Sequence, residues 1–266
     1  MPRTSSNPAE DRHFQHHTLK HQIVSWISRT LFDQYTNTVR HGLLRGLKRK
    51  GGLGWIPEVF SKSIDTPEIQ FRKKLPFTGL TVYDVGSFEG LLALFFARRA
   101  KHVVCYEPNS RNHRRLVDNL ELNGFTNVTV RKTGIGETAR QIQQIWNPAM
   151  PGGASMETAT AERLRETVSS VQMETIPITT LDEDAQENGL PAPDLIKIDI
   201  EGWELQALRG ARRLLRQFGP GPVSGDARRD YGREEAESRG YYPVSGRGRL
   251  HGYRTYRDRT ADHDRE

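Results

Sequence analysis

Two acids and a set of small residues close two apolar runs in this 266-residue chain. The run TVYDVGSFEG (81–90) ends on Asp84, Gly86, Ser87 and Gly90, and HVVCYEP (102–108) ends on Glu107 and Pro108. Glycine lets a backbone turn tightly and approach a ligand closely. An acid ending the next strand is placed to accept hydrogen bonds from both hydroxyls of a ribose. Glu107 follows Asp84 by 23 residues, near the ~20-residue separation that serves this purpose in dinucleotide folds. A third run, DLIKIDIEG (194–202), sets Lys197, Asp199 and Glu201 at alternate positions, on one side of a strand. A lysine and two acids in an apolar strand are costly unless paired or at its open end. One acid could act as general base on a substrate hydroxyl, or both could help hold a metal ion. The bland alternative is a Lys197–acid ion pair that fixes the loop.

The loop chemistry separates two ligand classes. A pyrophosphate is met by G-x-G-x-x-G at a helix start. Here the pattern is D-x-G-x-x-x-G, with an acid before the first glycine and no G-x-G. That suits a cationic, phosphate-free ligand, and S-adenosyl-L-methionine has that charge pattern: a sulfonium, an amino group and an adenosine without phosphates.

The elements that must position these residues read as alternating strands and helices. GLTVYDVG, HVVCYEP, NVTVRKTGIG (127–136), VQMETIPITTLD (171–182) and DLIKIDIEG are strand-like. GLLALFFARRA (90–100), RNHRRLVDNLELNG (111–124) and WELQALRGARRLLRQF (203–218) are helix-like. Short buried strands alternating with helices imply a parallel sheet layered between helices, a Rossmann-like α/β fold. Ligands of such sheets bind beyond the carboxyl ends of the strands, where the marked residues fall. The polar segment 137–170, with Pro148, Pro151 and one helical patch, ETATAERLRETV, reads as an inserted lid or substrate loop.

Outside this core the chain changes character. Residues 1–17 read as disordered, and 18–75 as a basic helical extension, from apolar spacing at Ile23, Ile27 and Leu31, then Val39, Leu43, Leu44 and Leu47. Residues 76–218 form the ligand-binding domain. Residues 219–266 hold eight glycines, ten arginines and five tyrosines but one leucine, and read as disordered or divergent. Net charge divides as +7 over 1–80, −2 over 81–218 and +1 over 219–266. The basic arm is a solvated helix face or an attractor for nucleic acid, anionic lipid or an acidic substrate. One cysteine, Cys105, permits no intrachain disulfide. With no apolar run of ~20 residues and no secretory-type leader, a soluble, cytoplasmic protein is expected. His13, His16, His17 and His21 lie in a polar stretch without cysteines, so no metal site is expected there.

VYDVGSFEG, VVCYEPN, DNLELNG, the TGIGE turn and, above all, DLIKIDIEGWELQALRGA resemble the FkbM-type methyltransferases over about residues 76–218. This family is a branch of the Rossmann-like S-adenosylmethionine-dependent enzymes, mostly O-methyltransferases. The resemblance implies that Asp84, Gly86 and Gly90 line the methionine end of the cofactor, with Ser87 and Pro108 in the same binding set. It implies that Glu107 holds the ribose, that Gly134 and Ile135 lie near adenine, and that Asp199 faces the sulfonium and the substrate, with Glu201 beside it. The acceptor would be a hydroxyl of a small molecule, sugar or glycolipid. An RNA methyltransferase and a non-catalytic cofactor-binding protein are the competing readings. Family members continue with a further apolar strand after the helix that ends at Phe218. GPGPVSGDARRDYGREEAE offers none, so the sheet is expected to be incomplete at its C-terminal edge.

Overall fold

The computed structural model describes residues 34–50, 72–147, 150–155, 172–200, 202–217 and 240–243. In chain order the elements are β1 (Thr36–Thr38), β2 (Lys48–Lys50), β3 (Thr81–Val85), α1 (Leu91–Ala97), β4 (His102–Tyr106), α2 (Ser110–Leu122), β5 (Val128–Arg131) and β6 (Gly134–Ile135). Then follow β7 (Arg140–Asn147), β8 (Met150–Ser155), β9 (Gln172–Thr179), α3 (Leu181–Glu187), β10 (Leu195–Ile198), α4 (Glu204–Arg209), α5 (Arg212–Gln217) and β11 (Gly240–Pro243).

The central sheet has the order β11-β10-β3-β4-β5. Strands β10, β3, β4 and β5 run parallel, and β11 pairs antiparallel with β10. Alternation along the strands divides the core by face. Val82, Val103, Cys105 and Leu195 pack with Phe77, Leu94, Phe96, Leu116 and Leu120 under α1 and α2. Tyr83, Val85, Val104, Tyr106, Ile196 and Ile198 pack with Leu181, Ala207, Ala211 and Leu214 under α3 to α5. The expected parallel sheet between two helical layers is therefore present. Phe77 anchors the first layer: it is fully buried, with edge-on contacts to Phe95 and Phe96 at 4.9 and 5.0 Å between ring centres. Side-chain caps start two helices where the sequence supplies them. Asn109 accepts from the Arg111 and Asn112 N–H groups, and Thr180 from that of Glu183.

Four sequence-based expectations are corrected. First, residues 34–50 are not helical: β1 and β2 form an antiparallel hairpin, Thr36 opposite Lys50 and Thr38 opposite Lys48. Its loop turns through Gly42 and Gly46, at φ 76° and 86°. The leucine spacing that imitates a helix comes from this loop, which leans Leu43, Leu44 and Leu47 on the core. Second, NVTVRKTGIG is two strands, with β5 in the central sheet and β6 in another. Third, much of the inserted segment is sheet. The second sheet, ordered β6-β9-β7-β8, carries β7 antiparallel to both β8 and β9. Fourth, the tail does contribute a strand: β11 adds to the edge of the central sheet that the sequence leaves open.

The expected disorder of 1–17, the four N-terminal histidines, any helix over 18–33, the patch ETATAERLRETV and the tail apart from 240–243 lie outside the described residues. Among the described residues, no helix is long and apolar enough to cross a membrane.

Candidate active site

Lys197, Asp84 and Cys105 form one row across β10, β3 and β4, because parallel register sets them opposite one another. Lys197 Nζ lies 2.9 Å from Asp84 Oδ1, with side chains 4% and 0% exposed. The ammonium also donates to the carbonyls of Gly86 (2.7 Å) and Val85 (3.3 Å), so one buried cation gathers the end of β3 beneath the loop. The contact with Asp84 is a charge pair rather than an aligned hydrogen bond. Neither carboxylate oxygen meets a donor in hydrogen-bond geometry among the described residues. Burial, and then the charge of Asp84, push the Cys105 thiol up, which makes it a poor nucleophile.

The loop after β3 is laced to both neighbouring strand ends. The N–H groups of Gly86 and Ser87 donate to the Tyr106 carbonyl at 3.1 and 3.0 Å, and Ser87 Oγ donates to the Asp84 carbonyl at 2.7 Å. On the other side, Asp199 N–H donates to the Val85 carbonyl at 3.1 Å. Gly86 (φ 77°) lies so close to the loop after β10 that a Cβ would stand 2.1 Å from the Asp199 carbonyl oxygen. Phe88 is the only non-glycine residue at positive φ among the described residues, at 52°. Gly90 (φ 87°) then opens α1 against Leu116.

Glu107 continues from β4 and is 6% exposed. Its Oε2 accepts from Phe88 N–H at 2.9 Å and its Oε1 from Asn109 N–H at 3.0 Å. Burial pushes its carboxyl up to about 7, against the opposing pull of those two N–H groups, the Asn112 side chain and Lys197. A carboxylate has about four acceptor sites, so at least one stays open to a ligand. Pro108 lies against Gly134, where a Cβ would come 3.6 Å from its ring. This brings β6 beside the end of β4, with Ile135 buried next to it.

Asp199 is half-buried just beyond β10. The loop it begins is held from within by Glu204, whose carboxylate accepts from Ile200 N–H (3.3 Å) and Gly202 N–H (3.0 Å). Burial raises the Glu204 carboxyl, with a smaller contribution from the charge of Asp199. Glu201 lies outside the described residues.

The structure thus gathers Asp84, Gly86, Ser87, Gly90, Glu107, Pro108, Gly134, Ile135 and Asp199 along the carboxyl ends of β3, β4 and β10. Asp84 sits beneath the loop rather than on its open surface. Sequence reasoning missed the partner of Lys197, which is an acid of the neighbouring strand rather than of its own. It also missed Glu204, whose position at the start of a helix carries no signal of its loop contacts. Asn109, directly before a helical run, was findable as a cap.

The methyltransferase FkbM domain profile matches residues 84–233, more than half of the chain and past Phe218. A hexuronic acid methyltransferase, AglP, of Haloferax volcanii is 26% identical over 134 residues, 50% of this chain and 51% of that protein. Methyltransferase 1 of Beauveria bassiana is 25% identical over 146 residues, covering 57% of that protein. The chain spans about half the length of the curated relatives it matches. A crystal structure of an FkbM methyltransferase from Methylobacillus flagellatus KT is similar at a TM-score of 0.37 and 25% identity, covering 55% of this chain and 32% of that one. With more than half of its length in the profile, this chain belongs to the FkbM methyltransferase family.

Proposed function

We propose that the protein transfers a methyl group from S-adenosyl-L-methionine to a hydroxyl oxygen, with a sugar as the acceptor class. The observation that carries this reading is the joining of three strand ends around Gly86, with Glu107 presented from β4. The residues fit the cofactor. A buried carboxylate without an aligned donor suits the neighbourhood of a cation, the glycine cradle admits close approach, and Glu107 keeps acceptor capacity for a ribose. Asp84 acts through the loop it supports, while Gly86, Ser87 and Gly90 shape the surface toward the methionine end. Pro108, Gly134 and Ile135 wall the adenine side. The sugar acceptor is supported by the hexuronic acid specificity in the name of the Haloferax relative.

Bound S-adenosylmethionine supplies a methyl group on a sulfonium, which becomes a neutral thioether when the acceptor oxygen takes the methyl. The donor is already activated, so the chain's largest task is alignment of the acceptor. Asp199, half-buried beyond β10, is the candidate base that takes the hydroxyl proton. Calorimetry with S-adenosylmethionine and its demethylated product tests the reading: both bind the wild type, and Glu107→Ala binds neither well. Absence of binding to folded wild-type protein would end it. Asp199→Asn should keep cofactor affinity and lower turnover of a sugar acceptor by roughly 10²–10⁴-fold. Unchanged turnover would remove Asp199 from the mechanism.

A further inference from the structure

The strand β2 lies outside the family match, which begins at residue 84, yet it reaches the cofactor loop. Its backbone docks on α2 and the C-terminal cap of that helix through two asparagines. Asn123 accepts from Lys48 N–H and donates to the Lys48 carbonyl, both at 2.7 Å, while Asn119 Oδ1 accepts from Lys50 N–H at 2.7 Å. Asn119 then passes the contact on, donating through Nδ2 to the Glu89 carbonyl at 2.8 Å. Between those two anchors, Arg49 Nη2 meets Glu89 Oε2 at 2.9 Å, with side chains only 13% and 15% exposed. Glu89 is thus gripped twice from β2, once by its backbone through Asn119 and once by its carboxylate.

The residue before Glu89 is Phe88, held at φ 52° with its N–H on Glu107. A left-handed conformation at a bulky residue persists only where the surroundings impose it. The grip on Glu89 supplies that constraint from the outer side, and Glu107 supplies it from the ligand side. The geometry points to Arg49 as a positioning residue: by fixing Glu89 it sets the Phe88 N–H on Glu107 and so preorganises the cofactor loop. This inference rests on the reading of Glu107 as the ribose acceptor.

The consequence is readable in pH dependence. Glu107 faces Lys197 of β10, the N–H groups of Phe88 and Asn109 and the side chain of Asn112. Glu174 of β9 stands behind Asn109. Each N–H favours the carboxylate, so loosening Phe88 raises the pH at which Glu107 loses its proton. The contact of Arg49 ends on Glu89, so it moves that midpoint through the loop.

The test measures binding of the demethylated cofactor product by calorimetry across pH 6–8 in Arg49→Gln, Glu89→Gln and the pair combined. Each single variant should bind about tenfold more weakly, with the pH midpoint of binding displaced upward. The combined variant should be no worse than either. Asp118→Asn is the control. It removes the 2.9 Å contact between Lys50 and Asp118, which docks the same strand without touching Glu89, and should leave affinity and midpoint in place. Wild-type affinity and midpoint in folded Arg49→Gln would overturn the inference, as would an equal loss in Asp118→Asn. If Arg49→Gln does not fold, Glu89→Gln decides by the same criteria. If the wild type binds no ligand, the reading of the cofactor site has failed by itself. The loop role of Arg49 then stands or falls on whether Phe88 N–H exchange quickens in Arg49→Gln.

Discussion

If Glu107 holds the ribose as proposed, it carries opposite demands in the free and the liganded protein. Its ordinary carboxyl value is 4.5, and burial takes it to about 7 in the fold. A group raised in this way contributes stability that is complete below about 4.5 and lost as pH rises through about 7. Ribose hydroxyls are donors to the carboxylate, so ligand binding favours the form that costs the free protein stability. Cofactor affinity should therefore rise with pH up to about 7 and level off above it. At pH 6 binding should release protons, by an amount read from calorimetry in two buffers of different ionisation heat. A flat affinity from pH 6 to 8 with no proton release would show that Glu107 does not meet the ligand. The acid itself was legible, because it ends an apolar run at a telling distance from Asp84. Its environment was not, since Phe88 and Asn109 reach it through a turn whose geometry no residue type announces.

At the scale of elements, the tie between β3 and β10 is the Asp84–Lys197 pair. Removing one partner of a buried ion pair strands the other, at a cost of about 3–5 kcal/mol, whereas removing both in favour of apolar groups can be nearly neutral. Lys197→Met should therefore destabilise the protein by that amount in urea unfolding. Asp84→Leu combined with Lys197→Met should recover much of the loss while weakening cofactor binding. Additive losses would mean that the pair is not coupled. The strands that carry this pair were readable because β-branched runs such as LIKI and TVYDV announce buried strands. The β1–β2 hairpin was not, because its partners, Asn119 of α2 and Asn123 at the C-terminal cap of that helix, lie some seventy residues away. A leucine rhythm in its loop then resembled a helix face. The β9 strand was legible in QMETIPI, but its partner β7 was not, because RQIQQIW falls in a polar segment with prolines and a helix-like patch that reads as an inserted loop.

At the scale of the whole molecule, the question is what closes the sheet beside β10. The sequence after Phe218 is poor in apolar residues, yet β11 pairs with all of β10, from Leu195 opposite Pro243 to Ile198 opposite Gly240. Pro243 at the last pair suits an edge, because an edge strand can spare an N–H. Pairing here depends on backbone rather than on an apolar pattern, which is why composition did not reveal it. Alternate residues of an antiparallel strand aim their N–H at the partner, so prolines at both 241 and 242 remove a ladder donor whichever of the two faces β10. Tyr241→Pro combined with Tyr242→Pro should lower stability by about 1 kcal/mol per ladder bond lost. It should also leave β10 with an open edge prone to self-association. Because Lys197 and Asp199 hang from β10, cofactor affinity should fall as well. Deletion of residues 218–266 should reproduce both effects, read by thermal unfolding, light scattering and calorimetry. An unchanged, monomeric double-proline variant with full affinity would show that β10 needs no neighbour on that side.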